Sequence, residues 1–420
     1  MARLAALLFV LAAAGCASLA PQPAREVVGY YPAWKGVFEF DPTRLTVVNY
    51  AFLDICWDGR HGNGAVAPLE ECAGENGSIV LGHPALDAAN LEALAKVKHA
   101  DPGLRLVASV GGWSWSNRFS DMASGDRSRE AFVSSAVRFL RDHDFDGIDI
   151  DWEYPGSIGI PCAAGQATCD RPGDKRSFAA LGRELRAALD RAGASDGRHY
   201  LFTVAAGADA KYVFDADKSS AWLAELAAST DWINLMTYDY HGTWERAALF
   251  VAPLSRDPAD PGGANVEASV ELFLAQGIAP SRLALGVPFY GKGWSGCARG
   301  EVLYKPCKAL AREDHEATYE FAYLVSEGYL VRDAGGRFTG TGRGFERYWN
   351  AAAKAPWLYE PRSRVFIAYD DEASIREKAR YAMAKGLRGM MYWEISQDSR
   401  GVLAGVVADE VLRKPPGAMR

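Results

Sequence analysis

Eight short apolar runs punctuate the chain: Val27–Tyr31, Leu45–Leu53, Leu104–Val110, Gly147–Trp152, Tyr200–Ala206, Trp232–Tyr238, Leu283–Phe289 and Gly389–Trp393. Most are separated by stretches with helical spacing. Leu86, Leu91, Leu94 and Val97 form one apolar face before the third run, and Phe132, Ala136, Phe139 and Leu140 follow i, i+4, i+7, i+8 before the fourth. Ser177–Arg191, Ser219–Ala228, Val266–Gln276 and Ala373–Lys385 continue the alternation. Near-continuous apolar strands alternating with helices predict a parallel sheet covered on both faces. Eight such units predict an α/β chain folded as a (β/α)8 TIM barrel, with its chemistry at the C-terminal ends of the strands. The other architecture that fits is an open doubly wound sheet, which is weakened because no G-x-G-x-x-G follows the first strand.

The interval from Tyr290 to the apolar run Arg364–Tyr369 is too long for a structureless loop in a compact domain. It carries its own aromatic and glycine pattern, including Tyr319, Phe321, Tyr323, Tyr329, Phe338, Phe345, Tyr348 and Trp349. This predicts a small α+β lobe over 291–363 inserted between strands seven and eight, with the barrel built from 26–290 and 364–412.

The first twenty residues read as an address. Arg3 precedes the apolar stretch Leu4–Leu11, and small residues lead to Gly15-Cys16, the layout of a secretory signal. Ala13-Ala14-Gly15-Cys16 also fits a lipobox, in which Cys16 would carry a lipid anchor; plain secretion with cleavage near Ala20 is the alternative. The stretch is shorter than the roughly 20 residues needed to span a bilayer. Lys414-Pro415-Pro416-Gly417 reads as a frayed tail.

The cysteines change the picture in the same direction. Without Cys16 there are six, falling as three local couples, Cys56 with Cys72, Cys162 with Cys169 and Cys297 with Cys307. An even set in an exported chain predicts disulfides, here the sequence-local ones. No C-x-x-C or H-E-x-x-H supports a metal site. The net charge of -7, with basic residues scattered, argues against a nucleic-acid partner.

The densest chemistry lies in Asp146-Gly147-Ile148-Asp149-Ile150-Asp151-Trp152-Glu153-Tyr154-Pro155. Strand side chains alternate faces, so Asp149, Asp151 and Glu153 point into the barrel while Ile148, Ile150 and Trp152 face the helices. Successive acids lie about 6.5–7 Å apart along the strand. Carboxylates that close in a poorly solvated site cannot all ionise, so one stays protonated near neutral pH, as a general acid requires. Glu153, nearest the open end, is the candidate. Purely structural acids or a Ca²⁺ site are the alternatives, and no calcium-loop glycine spacing follows.

The run Asp146–Glu153 resembles the D-x-x-D-x-D-x-E signature of glycoside hydrolase family 18 chitinases. Ser109-Val110-Gly111-Gly112, Met236-Thr237-Tyr238-Asp239-Tyr240-His241-Gly242, Gly286-Val287-Pro288-Phe289-Tyr290-Gly291 and Met391-Tyr392-Trp393-Glu394 resemble four further motifs of that family, in order. The resemblance covers Val27 to Val411 and implies an exported hydrolase of β-1,4-linked N-acetylglucosamine polymers (chitin or chitooligosaccharides). It implies a retaining mechanism in which the substrate's own acetamido oxygen forms an oxazolinium ion, with no cofactor. Glu153 would protonate the leaving oxygen, Asp151 would orient the acetamido group, and Asp149 would couple to Asp151. Tyr238 would hydrogen-bond the acetamido oxygen. Met236, Asp239, Trp393, Tyr30 and Tyr290 would line the same pocket, and Trp113 would bind sugar. Lys292 stands where relatives often carry Arg, replacing a planar fork with a point donor.

Tryptophans cluster at predicted strand ends. Trp34, Trp115, Trp244 and Trp294 are expected to be sugar platforms, and Trp152, by parity, core. Ser109 reads as packing beside Gly111-Gly112, and His241 as a structural residue of the rim. A binding protein on the same barrel, or a hydrolase of N-glycan cores or peptidoglycan fragments, are the competing functions.

Overall fold

The computed structural model describes residues 24–162, 165–312 and 317–413. The expected export signal with Cys16 and the Lys414–Gly417 tail lie outside the described residues. Eight parallel strands form the barrel: β1 (Glu26–Pro32), β2 (Val47–Ile55), β3 (Arg105–Gly111), β4 (Gly147–Asp151), β5 (Leu201–Gly207), β6 (Trp232–Met236), β7 (Leu283–Pro288) and β8 (Gly389–Trp393). Each pairs with its neighbour in sequence order, and β8 pairs with β1 to close the ring. A short antiparallel strand, Ile79–Leu81, flanks β2.

Alternation along the strands sorts the apolar residues into two layers. Val28 and Tyr30 of β1, Val107 of β3 and Trp232 of β6 fall in the cluster inside the barrel. Val27, Tyr31, Leu106, Ala108, Ile148, Ile150 and Trp152 pack outward against the helices. Those helices are α1 (Pro84–Ala100), α2 (Asp126–Asp142), α3 (Asp174–Asp196), α4 (Ala221–Ser229), α5 (Val266–Leu274), α6 (Glu372–Ala384) and α7 (Val402–Val411). The link after β1 carries only short 3₁₀ turns. The N-terminal end of the barrel is closed by a buried charge network. Fully buried Glu26 meets Arg105 and Arg388 and accepts from Thr46 at 2.6 Å. A structural network at that face leaves the other end of the barrel free for function.

Between β7 and β8 the chain builds a six-stranded antiparallel sheet. Tyr290–Ser295 pairs with Val365–Ala368, which pairs with Ala355–Glu360 and through it with Glu346–Asn350. A short helix, Phe321–Ser326, lies in the same insertion. The run Arg364–Tyr369, which the sequence grouped with the barrel, belongs to this sheet instead. An apolar run states that a strand is buried but not which sheet supplies its hydrogen bonds. Tyr290, Trp294, Tyr359 and Phe366 form the lobe's core together with Phe250 and Val251 from the loop after β6.

The three disulfides are the sequence-local pairs Cys56–Cys72, Cys162–Cys169 and Cys297–Cys307. They lie in the loop after β2, the loop after β4 and the insertion, all on the C-terminal side of the barrel.

Candidate functional site

β4 carries the acids. Its last residue in the sheet is Asp151, one residue short of the expected Trp152, so Glu153 sits on the turn beyond the strand. Asp149 and Asp151 nonetheless share the inward face, and the Glu153 charge opposes ionisation of Asp151. Trp152 is fully buried on the opposite side against Phe119 and Phe178, as parity required.

Strand register decides how the two aspartates differ. Asp149 lies level with Ser109 on β3 and Thr203 on β5. Both hydroxyls donate to it, at 2.7 and 2.6 Å; Tyr30 donates at 2.9 Å and Asn234 Nδ2 at 3.4 Å. Burial raises its pKa and these four donors pull it back. Asp151 lies level with Gly111 and Ala205, which have no side-chain donor to offer. Its Oδ1 is buried without a partner. Burial, then the charges of Glu153 and Asp149, push its carboxyl well above the usual range. Glu153 is pushed up to about 7, by burial first and by the Asp239 charge, with a hydrogen bond from Tyr154 pulling it partly back. Asp151 and Glu153 therefore form an interacting pair that resists full ionisation.

Tyr238, two residues past β6, faces this group: burial and the charges of Asp151 and Glu153 hold its phenol well above its ordinary value. Tyr290, also buried, hydrogen-bonds Asp239 and meets the Tyr238 ring edge-on at 6.4 Å. Met236 ends β6 in the interior cluster that also contains Tyr238 and Trp393. Trp393 at the end of β8 stacks on Phe52 at 5.6 Å and tilts against Tyr30 and Trp34. Tyr30 thus joins the aromatic patch to the acid ladder. Lys292 reaches the group only through Tyr290. Its buried Nζ donates to Thr318 Oγ1 at 2.7 Å and lies 5.6 Å from the Tyr290 ring.

The expected tryptophan platforms divide. Trp34 and Trp244 are 40 and 64% exposed, and Trp113, expected to bind sugar, is 49% exposed. The Trp113 ring lies against Gly159 and the Trp244 ring against Gly242, where a Cβ would fall 2.3 Å from ring carbons. Trp115 and Trp294 are not platforms. Trp115 is buried beside His83 and against Gly82, and Trp294 is fully buried in the lobe with its indole N–H on Glu245 O at 2.9 Å. Position at a strand end does not tell an outward ring from one covered by the next loop.

Ser109, read from sequence as packing, uses its hydroxyl on Asp149. The sequence reading also missed Phe52, Thr203, Asn234 and Ser116. A polar residue inside an otherwise apolar strand, as Thr203 and Asn234 are, was the available signal. The glycines after Ser109 have a steric reason. A Cβ on Gly111 would sit 2.4 Å from Asp151 O, and one on Gly112 would sit 2.4 Å from Phe52, both at positive φ. His241 is buried and bonded through Nδ1 to Glu245 at 2.7 Å.

The model of the glycosyl hydrolases family 18 matches residues 26–398, nearly the whole barrel and its insertion. The chain belongs to that family. It is 40% identical to chitinase A1 of Niallia circulans over 90% of this chain and 57% of that one. It is 29% identical to chitinase B of Serratia marcescens over 85% of this chain and 74% of that one. Among solved structures, the chitinase ChiA74 from Bacillus thuringiensis superposes with a TM-score of 0.82 at 35% identity, covering 94% of this chain and 71% of that one. A family 18 N-acetylglucosaminidase from Paenibacillus barengoltzii does so at 0.74 and 32%, covering 92% and 99%. The family 18 barrel and its insertion are thereby shared with enzymes of this group, while this chain spans little over half of chitinase A1.

Proposed function

We propose that the chain hydrolyses β-1,4-linked N-acetylglucosamine polymers or oligomers, chitin and chitooligosaccharides, with retention and through an oxazolinium intermediate. The observation that carries this reading is the contrast within the ladder: a donor-saturated Asp149 beneath an Asp151 with a buried free oxygen and a Glu153 poised near neutrality. A partnerless carboxyl oxygen next to a proton-holding glutamate suits a substrate group that must be oriented and then stabilised as charge develops. Glu153 protonates the glycosidic oxygen and later removes the proton from the attacking water. Asp151 accepts the acetamido N–H, which steers the acetamido oxygen onto the anomeric carbon. Four donors partly offset the burial that raises the Asp149 pKa, and any charge on Asp149 pushes protons towards Asp151. The Tyr238 hydroxyl, whose phenol stays protonated, donates to the acetamido oxygen. Trp393, backed by Phe52, forms the apolar floor under the sugar; Tyr30, Met236, Asp239 and Tyr290 close the pocket, with Lys292 behind Tyr290. Trp34, Trp113 and Trp244 extend the surface for further sugar rings.

The chain is proposed to act outside the cytoplasm, secreted or held by a lipid on Cys16. The signal-like start and three disulfides support this.

The test is a time course on a defined chitin hexamer with the wild type and Glu153→Gln. Dimers or trimers released by the wild type and blocked in the variant support the reading. Monomers alone would redirect it towards an N-acetylglucosaminidase, the activity named for the Paenibacillus neighbour. Binding without cleavage would make the chain a lectin.

A further inference from the structure

Glu153 lies beyond the last residue that the barrel sheet holds. The final rung on this side is Gly112 N–H to Asp151 O at 2.8 Å. One residue pair further on, no strand backbone accepts the Glu153 N–H, although the Glu153 carbonyl accepts from Gly159 N–H at 3.4 Å. Ser116 takes the place of the strand. Its fully buried Oγ accepts the Glu153 N–H at 2.8 Å and donates to Gly112 O at 2.9 Å, with Asp151 O at 3.3 Å. One hydroxyl thus bridges the turn after β3 and the turn after β4, and it does so at the backbone of the acid itself. The turn after β3 is crowded on its own side, where Gly112 is at positive φ and a Cβ would fall 2.4 Å from Phe52, and it also carries the exposed ring of Trp113.

We infer that Ser116 is a positioning residue that sets the Glu153 carboxyl by acting as the missing ladder acceptor for its amide. This rests on Glu153 being the acid of the proposed reaction. A displaced acid costs rate far more than affinity, since sugar contacts on the aromatic surface stay in place. Ser116→Ala removes the acceptor and leaves the Glu153 amide and Gly112 carbonyl without it. Ser116→Thr retains a hydroxyl at the same atom.

The experiment has two independent readouts on the full chain. The first is hydrolysis of the chitin hexamer. Ser116→Ala is expected to lower kcat by about tenfold or more with KM within about twofold. Its alkaline limb should also shift, because the Glu153 surroundings change, and Ser116→Thr should recover most of the rate. The second is hydrogen exchange at the Glu153 amide, which needs no substrate: protection should be lost in Ser116→Ala and kept in Ser116→Thr. Unchanged kcat and unchanged protection in a folded Ser116→Ala would overturn the inference. So would lost protection with kcat and pH profile intact. A wild type that cleaves nothing would overturn the proposed function, and the exchange result would still decide whether Ser116 holds the amide.

Discussion

Asp149 and Asp151 stand two residues apart on one face of β4, yet Asp149 accepts from four donors while Asp151 leaves Oδ1 buried and unpartnered. The difference comes from what lies level with each on the flanking strands: Ser109 and Thr203 for one, Gly111 and Ala205 for the other. It concentrates the hydrogen-bond donors on the deeper carboxyl and leaves the outer one with an oxygen open to a ligand group.

That arrangement makes Glu153 the residue on which turnover depends. Glu153→Gln should lower kcat by about 10²–10⁴-fold, the usual contribution of a general acid. Oligosaccharide affinity, read by calorimetry, should stay close to wild type.

The pH dependence follows from the same residue. Glu153 must hold its proton to act as an acid, so kcat/KM should fall as pH rises through about 7. Stability should respond too. Below the ordinary glutamate pKa of about 4.3 the folded and unfolded chains are both protonated there; between that value and about 7 the folded chain binds more protons, so Glu153 destabilises progressively as pH rises. Melting curves should therefore show the advantage of Glu153→Gln over wild type growing from pH 5 to about pH 7 and levelling off above it.

Thr203→Val keeps the shape of a buried side chain and deletes the 2.6 Å donor to Asp149. A hydrogen bond to a charged group is worth about 1.5–3 kcal/mol, so urea denaturation at pH 7 should register a loss of that order. The rate should fall as well, because Asp149 then holds its charge less firmly.

Gly111→Ala should be severe. The new Cβ would meet the Asp151 carbonyl at 2.4 Å, at a φ of 106°. We expect a loss of more than about 2 kcal/mol, seen as a lowered Tm.

Trp244→Ala separates binding from stability. The ring is 64% exposed, so Tm should change little, with stability within about 0.5 kcal/mol of wild type. KM for long oligomers should rise while that for the shortest substrates stays constant.

What the sequence determined by itself was whatever depends on local periodicity. Alternation placed Asp149 and Asp151 inward and Ile148, Ile150 and Trp152 outward, because a strand's two faces are set by its own backbone. The spacing of apolar runs gave eight strands in order, although the link from β1 to β2 carries only 3₁₀ turns and no α-helix. Tertiary structure decided everything that needs a partner from elsewhere in the chain. Tyr30, Ser109, Thr203 and Asn234 converge on Asp149 from four other strands. Val365–Ala368 joins the lobe sheet because Tyr290–Ser295 offers it an open edge. Trp294 is covered by the lobe while Trp244, in the neighbouring loop, is not. Periodicity reports which face a residue occupies; hydrogen-bond partners, exposure and pKa depend on what the closed barrel brings against that face.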